Sequence, residues 1–73
     1  MATVASSACV DRIGETAGEV WQVLAANGPL SMTRLIKETG GPRDTVMQAV
    51  GWLAREGKVN IEEHRRSRTV SLR

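Results

Sequence analysis

The sequence lacks most of the aromatic and sulfur chemistry on which small domains often depend. Phenylalanine and tyrosine are absent from the 73 residues, which contain two tryptophans and one cysteine, Cys9. A lone cysteine excludes an internal disulfide and a cysteine-based zinc site. No apolar run approaches the roughly 20 residues of a membrane-spanning helix. Residues 1–10 have no basic region followed by an apolar one, so we expect an unstructured tail on a cytoplasmic protein without a membrane partner.

The sequence also lacks a recognisable catalytic group. His64, the single histidine, lies among arginines and has no neighbouring pair of carboxylate and nucleophile. Glu62 and Glu63 are adjacent in a predicted strand and therefore point to opposite faces, which prevents them from acting as an acid and base pair. We expect no enzyme, and no metal, cofactor or small-molecule substrate.

Basic side chains are scarce in the first part of the chain. Residues 1–30 carry one basic and three acidic side chains, whereas residues 31–73 carry nine basic and five acidic ones. The overall net charge is only +2. Such an asymmetry indicates that one part of the surface meets a polyanion.

Apolar spacing predicts three helices. The first, over residues 11–26, has an apolar stripe that we expect to lie in the core, and Asp11 is its candidate cap. The stripe consists of Ile13, Ala17, Val20, Trp21 and Leu24. The sequence Asn27-Gly28-Pro29 ends this helix.

The second helix is short and begins after Ser31, a good N-cap, and Gly40 ends it. Pro42 suits the first turn of the third helix, which Gly57 closes. Two short helices joined by Gly-Gly-Pro form a helix-turn-helix.

After Gly57 the apolar period changes from that of a helix to two. Val59 and Ile61, and later Val70 and Leu72, alternate with polar residues, which predicts two strands. The polar segment between them becomes the turn of a β-hairpin. The sequence therefore predicts one winged helix-turn-helix domain at residues 11–73: a mainly α three-helix bundle followed by a small wing, a two-stranded antiparallel hairpin.

Two segments of the sequence are similar to a known family. Ile13-Gly14-Glu15-Thr16-Ala17-Gly18-Glu19-Val20-Trp21 and Gly51-Trp52-Leu53-Ala54-Arg55-Glu56-Gly57-Lys58 resemble small prokaryotic stand-alone winged helix-turn-helix proteins, long catalogued as a domain of unknown function. The resemblance covers about residues 11–72. It implies the same fold and a DNA-binding class, but no target.

In helix-turn-helix proteins the second helix of the motif enters the major groove of DNA. The exposed residues there are candidates for contacts with base edges: Arg43, Thr45, Gln48 and Arg55. Gln pairs with adenine and Arg with guanine, so Gln48 and Arg43 are the best of these. A solvated helix face is the alternative, since Asp44 on that face would repel phosphate.

Contacts with the DNA backbone are expected from the basic side chains of the wing and of the second helix. The candidates are Arg34, Lys37, Arg65, Arg66 and Arg68, of which the last three form the clearest basic cluster of the sequence. A solvated turn is the alternative interpretation.

Trp52 projects away from the core face of the third helix. It is expected to pack against the hairpin, or else to contact a second copy or a partner protein. Gly14 and Gly18 permit close approach by the third helix or by a second copy.

We therefore expect a double-stranded-DNA-binding protein, a transcriptional regulator or accessory, in which dimerisation strengthens weak monomer binding. The alternative is a protein-interaction module that keeps the fold without binding DNA.

Overall fold

The computed structural model describes residues 5–73, with side chains from residue 8 onward. Three helices are followed by a hairpin, and this confirms the predicted winged-helix architecture. The elements are α1 (Ala5–Asn27), β1 (Leu30–Ser31), α2 (Met32–Thr39), α3 (Arg43–Arg55), β2 (Val59–His64) and β3 (Ser67–Leu72).

Helix α1 starts earlier than the sequence predicts. It begins at Ala5, so residues 5–10, assigned to an unstructured tail, are helical, and residues 1–4 lie outside the described part. Asp11 consequently lies within the helix and does not cap it. Neither glycine nor proline interrupts residues 5–13, so the small side chains there allow the helix to extend beyond its buried stripe.

The end signals of the helices act largely as predicted. The Ser31 hydroxyl accepts a hydrogen bond from the amide of Arg34 at 3.1 Å and caps α2. Gly40 ends that helix in the left-handed conformation, with φ of 78°. Pro42 is the N-cap residue of α3, one position before the predicted first turn. Gly57, with φ of 75°, follows the end of α3.

The wing belongs to a three-stranded sheet rather than to a free two-stranded hairpin. β2 and β3 pair antiparallel from Val59 opposite Leu72 to His64 opposite Ser67. On the other side of β3, the short β1 pairs Leu30 with Val70. Two residues are too few to show a period of two, so sequence patterning misses β1. This pairing anchors the base of the wing beside the start of α2.

The core lies where α1 and α3 pack against α2 and the sheet. Its fully buried larger side chains come from every helix and from β3: Val20, Leu24, Leu35, Val46, Val50 and Val70. The placement of Trp21 in the core is wrong, because 46% of this residue is exposed. Trp21 lies at the edge of the apolar stripe, and Ala17, Val20 and Leu24 fill the available space.

Candidate nucleic-acid interface

One face of α3 is free of the core and carries polar side chains. The buried side chains Val46, Val50 and Leu53 fix the rotation of the helix, so that Gln48 and Arg55 face solvent. Arg43 is also exposed at the start of the helix, whereas Thr45 is half-buried. We call the exposed polar residues Arg43, Asp44, Gln48 and Arg55 the exposed row of α3. They offer hydrogen-bonding groups along about 20 Å of helix.

The tip of the wing is a turn of two arginines. His64 pairs with Ser67, which leaves Arg65 and Arg66 as the connecting residues. Arg65 has φ of 56°, and it is the only residue other than glycine with a positive φ in the described part of the chain. This left-handed conformation costs an L-residue with a Cβ about 1–2 kcal/mol. Asparagine or glycine would relieve that strain, so a guanidinium stands at a position whose backbone favours other residues.

The structure brings the wing tip to the start of α3. Arg43 lines a surface depression of about 290 Å³ together with Arg65, Arg66 and Arg68 of the wing. Four of the predicted DNA contacts thus converge on one concave surface, which we call the arginine depression. Gln48 and Arg55 do not line it, and lie farther along the exposed row of α3.

The start of α2 completes the arginine depression, and sequence reasoning missed this contribution. Ser31, Met32 and Thr33 line it as well, and the rest of the lining is Met47, Glu63 and Ser67. A helix N-terminus carries unpaired amides and a partial positive charge, so it favours anions in the same way as the guanidiniums. The signal was present in the capping residue Ser31, but placing it beside the wing requires the β1–β3 pairing.

Carboxylates neutralise two of the predicted backbone contacts. Arg68 Nε lies 3.3 Å from Glu63 Oε2, and Arg34 Nε lies 2.8 Å from Glu38 Oε2. Within the described residues, no ion pair engages Arg43, Arg65 or Arg66. Among the arginines of the depression, these three guanidiniums can bind an anion without losing an existing partner.

An apolar depression separates α3 from the wing. Met32, Met47 and Ile61 line its volume of about 310 Å³ together with Val50 and Gly51, and the charged side chains Glu63 and Arg68 of the wing line it as well. Ile61 remains 40% exposed, whereas Val59 at the base of the same strand is buried. The space between the exposed row of α3 and the arginines is thus partly hydrophobic.

Trp52 of the third helix makes the close approach that we expected at Gly14. Its ring lies over α1, where a Cβ built on Gly14 would be 3.4 Å from Cζ3 of the indole. The indole Nε1 donates to Glu56 Oε2 at 3.3 Å. The glycine of α1 provides the room for this approach, yet 45% of Trp52 stays exposed.

Two features are absent from residues 5–73. None of the helices there combines the length and apolar character required to cross a membrane. Nowhere in that range do three histidine, cysteine, aspartate or glutamate side chains come together in a group suited to a metal ion. The charged side chains that cluster on this surface are mainly arginines.

Comparisons with known proteins agree with the architecture. Residues 9–72 match the model of a family described as winged helix-turn-helix domain (DUF2582). The chain is also 31% identical over 65 residues to an uncharacterized protein of Methanocaldococcus jannaschii, an alignment that covers 85% of this chain and 91% of that protein. No solved structure matches the chain.

Proposed function

Because the chain belongs to this family of winged helix-turn-helix domains, we propose that it binds double-stranded DNA through α3 and the wing. The exposed row of α3 enters the major groove, and the arginine depression holds the sugar-phosphate backbone beside it. We further propose a role as a transcriptional regulator or accessory protein.

The convergence of Arg43 with the wing arginines is the observation that carries this proposal. A concave surface with several guanidiniums and a helix N-terminus suits phosphate oxygens, which accept two parallel hydrogen bonds from one guanidinium. The backbone conformation of Arg65 supports the same conclusion, since strained residues concentrate at functional sites. The turn therefore has a charged side chain at a position where glycine or asparagine would have less backbone strain.

Base recognition is proposed for the exposed row of α3. Gln48 can form a bidentate pair with adenine, and Arg43 can form one with guanine where it is not engaged by phosphate. Arg55 and the half-buried Thr45 are weaker candidates, because one lies at the far end of the helix and the other is partly covered. The apolar depression beside Met47 suits the methyl group of thymine.

Asp44 limits how closely the start of α3 approaches phosphate. Its carboxylate is exposed in the same row, and its Oδ1 accepts from the amide of Thr45 at 2.9 Å. With a net charge of +2, a single copy is expected to bind DNA weakly, with a Kd of ~10⁻⁴–10⁻⁶ M at physiological salt.

The test compares two variants that lose the same charge at different places. Arg65→Ala removes one cation from the wing tip, and Arg12→Ala removes one from the exposed surface of α1. Titration of a labelled duplex at several salt concentrations gives the slope of log affinity against log salt. We expect the wing variant to lower the slope by about 0.9, the contribution of one phosphate contact, and the α1 variant to leave it nearly unchanged.

The competing function is a protein-interaction module, and the exposed indoles of Trp21 and Trp52 favour it. It predicts no binding of the duplex even at low salt, and no difference between the two variants. Equal losses of slope in both variants would indicate diffuse attraction by net charge and would contradict the proposed interface.

A further inference from the structure

The exposed large apolar residues concentrate on one side of the molecule, away from the arginine depression. Val10 is 60% exposed, Trp21 46% and Trp52 45%, whereas among the described residues the fourth such side chain, Ile61, lies beside the wing. Scattered apolar residues on a surface are ordinary, but a contiguous group marks a contact surface. These three residues belong to α1 and to the part of α3 that faces it.

A groove runs between them. Gly14, Ala17 and Gly18 line it on α1, with Trp21 beside them and Trp52 on α3, and its volume is about 740 Å³. A Cβ built on Gly18 would meet no atom within 4 Å, so the floor is open to an approaching chain. We call this surface the tryptophan groove.

The residues of α1 that border the groove fall into two rows. Val10 continues the row of Gly14, Ala17 and Trp21 at spacings of four, three and four residues, which gives an apolar stripe that adjoins the core at the buried Ala17. In the second row, Asp11 and Glu15 precede Gly18 and Gln22 at the same spacings. Asp11 and Glu15 do not line the groove itself, but the helical period places them in the row of its lining residues Gly18 and Gln22, and we call this pair the acidic rim.

The opposite rim is basic. Lys58 and Arg73 line the groove at the base of the wing. Glu56 also lies there and accepts the hydrogen bond of the Trp52 indole, and its negative charge leaves this rim with a net charge of +1. No ion pair engages Asp11, Glu15, Lys58 or Arg73 within the described residues, so both rims keep their charge for a partner.

We propose that a second copy of this chain occupies the tryptophan groove and forms a two-fold symmetric dimer. A two-fold axis that runs along the groove places the acidic rim of each copy over the basic rim of the other, so both rims are matched twice. A partner of one charge would suit one rim and repel the other. The two indoles supply the large, rigid apolar anchors that the centre of such an interface requires.

The position of the groove fits a dimer that leaves the arginine depression free. The groove lies at the C-terminal end of α3 and the base of the wing, and the arginine depression lies at the N-terminal end of α3 and the tip of the wing. Pairing through the groove therefore covers neither the wing arginines nor Arg43. The proposal does not depend on DNA binding, since it concerns the free protein.

The experiment reverses the charge of each rim in turn. Asp11→Lys/Glu15→Lys makes both rims basic, and Lys58→Glu/Arg73→Glu makes both acidic. We expect wild type to dimerise in sedimentation equilibrium, and each variant alone to dimerise at least roughly tenfold more weakly, because like charges then face each other twice. An equimolar mixture of the two variants should recover the dimer, since each reversed rim then meets its opposite.

A second variant tests the apolar part. Trp21→Ala removes a half-exposed indole and should weaken the dimer by about 30-fold or more, the loss expected for a central aromatic anchor. Because dimerisation itself raises the thermal unfolding midpoint, stability is compared at concentrations at which both proteins are monomeric. A wild-type chain that stays monomeric at its highest soluble concentration would overturn the proposal. So would a dimer that persists in both charge-reversed variants, or variants that fail to recover association when mixed.

Discussion

The two ends of α3 carry different chemistry on one continuous helix. At its start, Arg43 lies in an open, cationic depression with the wing tip. At its end, Trp52 lies in a groove floored by glycines and bordered by opposite charges. Between them Val46, Val50 and Leu53 are buried and provide no surface.

This difference follows from what each end packs against. The start of α3 is near the hairpin turn, where a two-residue connection projects arginines into solvent and leaves space for anions. The end of α3 crosses α1 at Gly14, where a missing side chain lets the indole approach closely. The same helix therefore supports a polar surface for DNA and an apolar surface for a second protein.

The largest effect is expected from truncating a buried side chain of α3, because the surfaces at both ends of this helix depend on its packing in the core. Leu53→Ala deletes a side chain that is 6% exposed, and we expect the free energy of unfolding to fall by about 2–5 kcal/mol. Urea denaturation followed by circular dichroism measures it. DNA binding and self-association should disappear over the same range of urea, because one helix carries both surfaces.

The exposed Gln48→Ala provides the stability control, with a change within about 0.5 kcal/mol. If Leu53→Ala costs less than the control, α3 does not dock through this side chain and the described core is incorrect.

Gln48→Ala also distinguishes the two surfaces of α3, because it should weaken base recognition and leave dimerisation through the tryptophan groove unchanged. Loss of the proposed bidentate contact with adenine lowers discrimination by about 1–3 kcal/mol at one base pair. Selection of binding sites from randomised duplexes, followed by titration of the best site and its substituted versions, measures this. Arg55→Ala, at the other end of the row, should have a smaller effect. Unchanged preferences in the Gln48 variant would place base recognition elsewhere.

The architecture could be predicted from sequence because its signals are local. Ser31, Gly40 and Gly57 mark helix ends through their own backbone preferences, and the change of apolar period at Val59 marks the wing. The errors concern features that depend on neighbours in space. Trp21 fits the apolar stripe of α1, but the structure leaves no room for its indole in the core.

The individual members of the candidate site could also be identified, but not their arrangement. Three arginines in a predicted turn are visible in the sequence, whereas their convergence with Arg43 and the start of α2 depends on the β1–β3 pairing. The contact of Trp52 with Gly14 joins residues 38 positions apart, a distance over which periodicity carries no information. The ion pair of Glu63 with Arg68 similarly appears only once the hairpin register is fixed.

Ser31→Ala should lower the stability of α2 and the DNA affinity of the surface beside it, and leave dimerisation at the end of α3 unchanged. The hydroxyl caps α2 at 3.1 Å, and its loss costs about 1 kcal/mol of stability. Thermal unfolding measures this, and Ser71→Ala, a serine in β3, is the matched control. DNA affinity should fall slightly as the start of α2 loosens, while dimerisation through the tryptophan groove stays the same. Equal effects of the two serine variants on stability would contradict the cap.

The smallest expected effect concerns the carboxylate that restrains Arg68. Glu62 and Glu63 are adjacent, but they lie on opposite faces of β2: Glu63 pairs with Arg68 toward the arginine depression, and Glu62 lies 3.6 Å from His64 on the other face. Glu63→Gln and Glu62→Gln change the net charge equally. Glu63→Gln should free Arg68 for one further phosphate, which steepens the salt dependence of DNA binding by up to about 0.9. Glu62→Gln should change it less, because its carboxylate restrains none of the arginines. Identical slopes for the two variants would mean that total charge, rather than the position of the wing arginines, governs attraction to DNA at the polar end of α3.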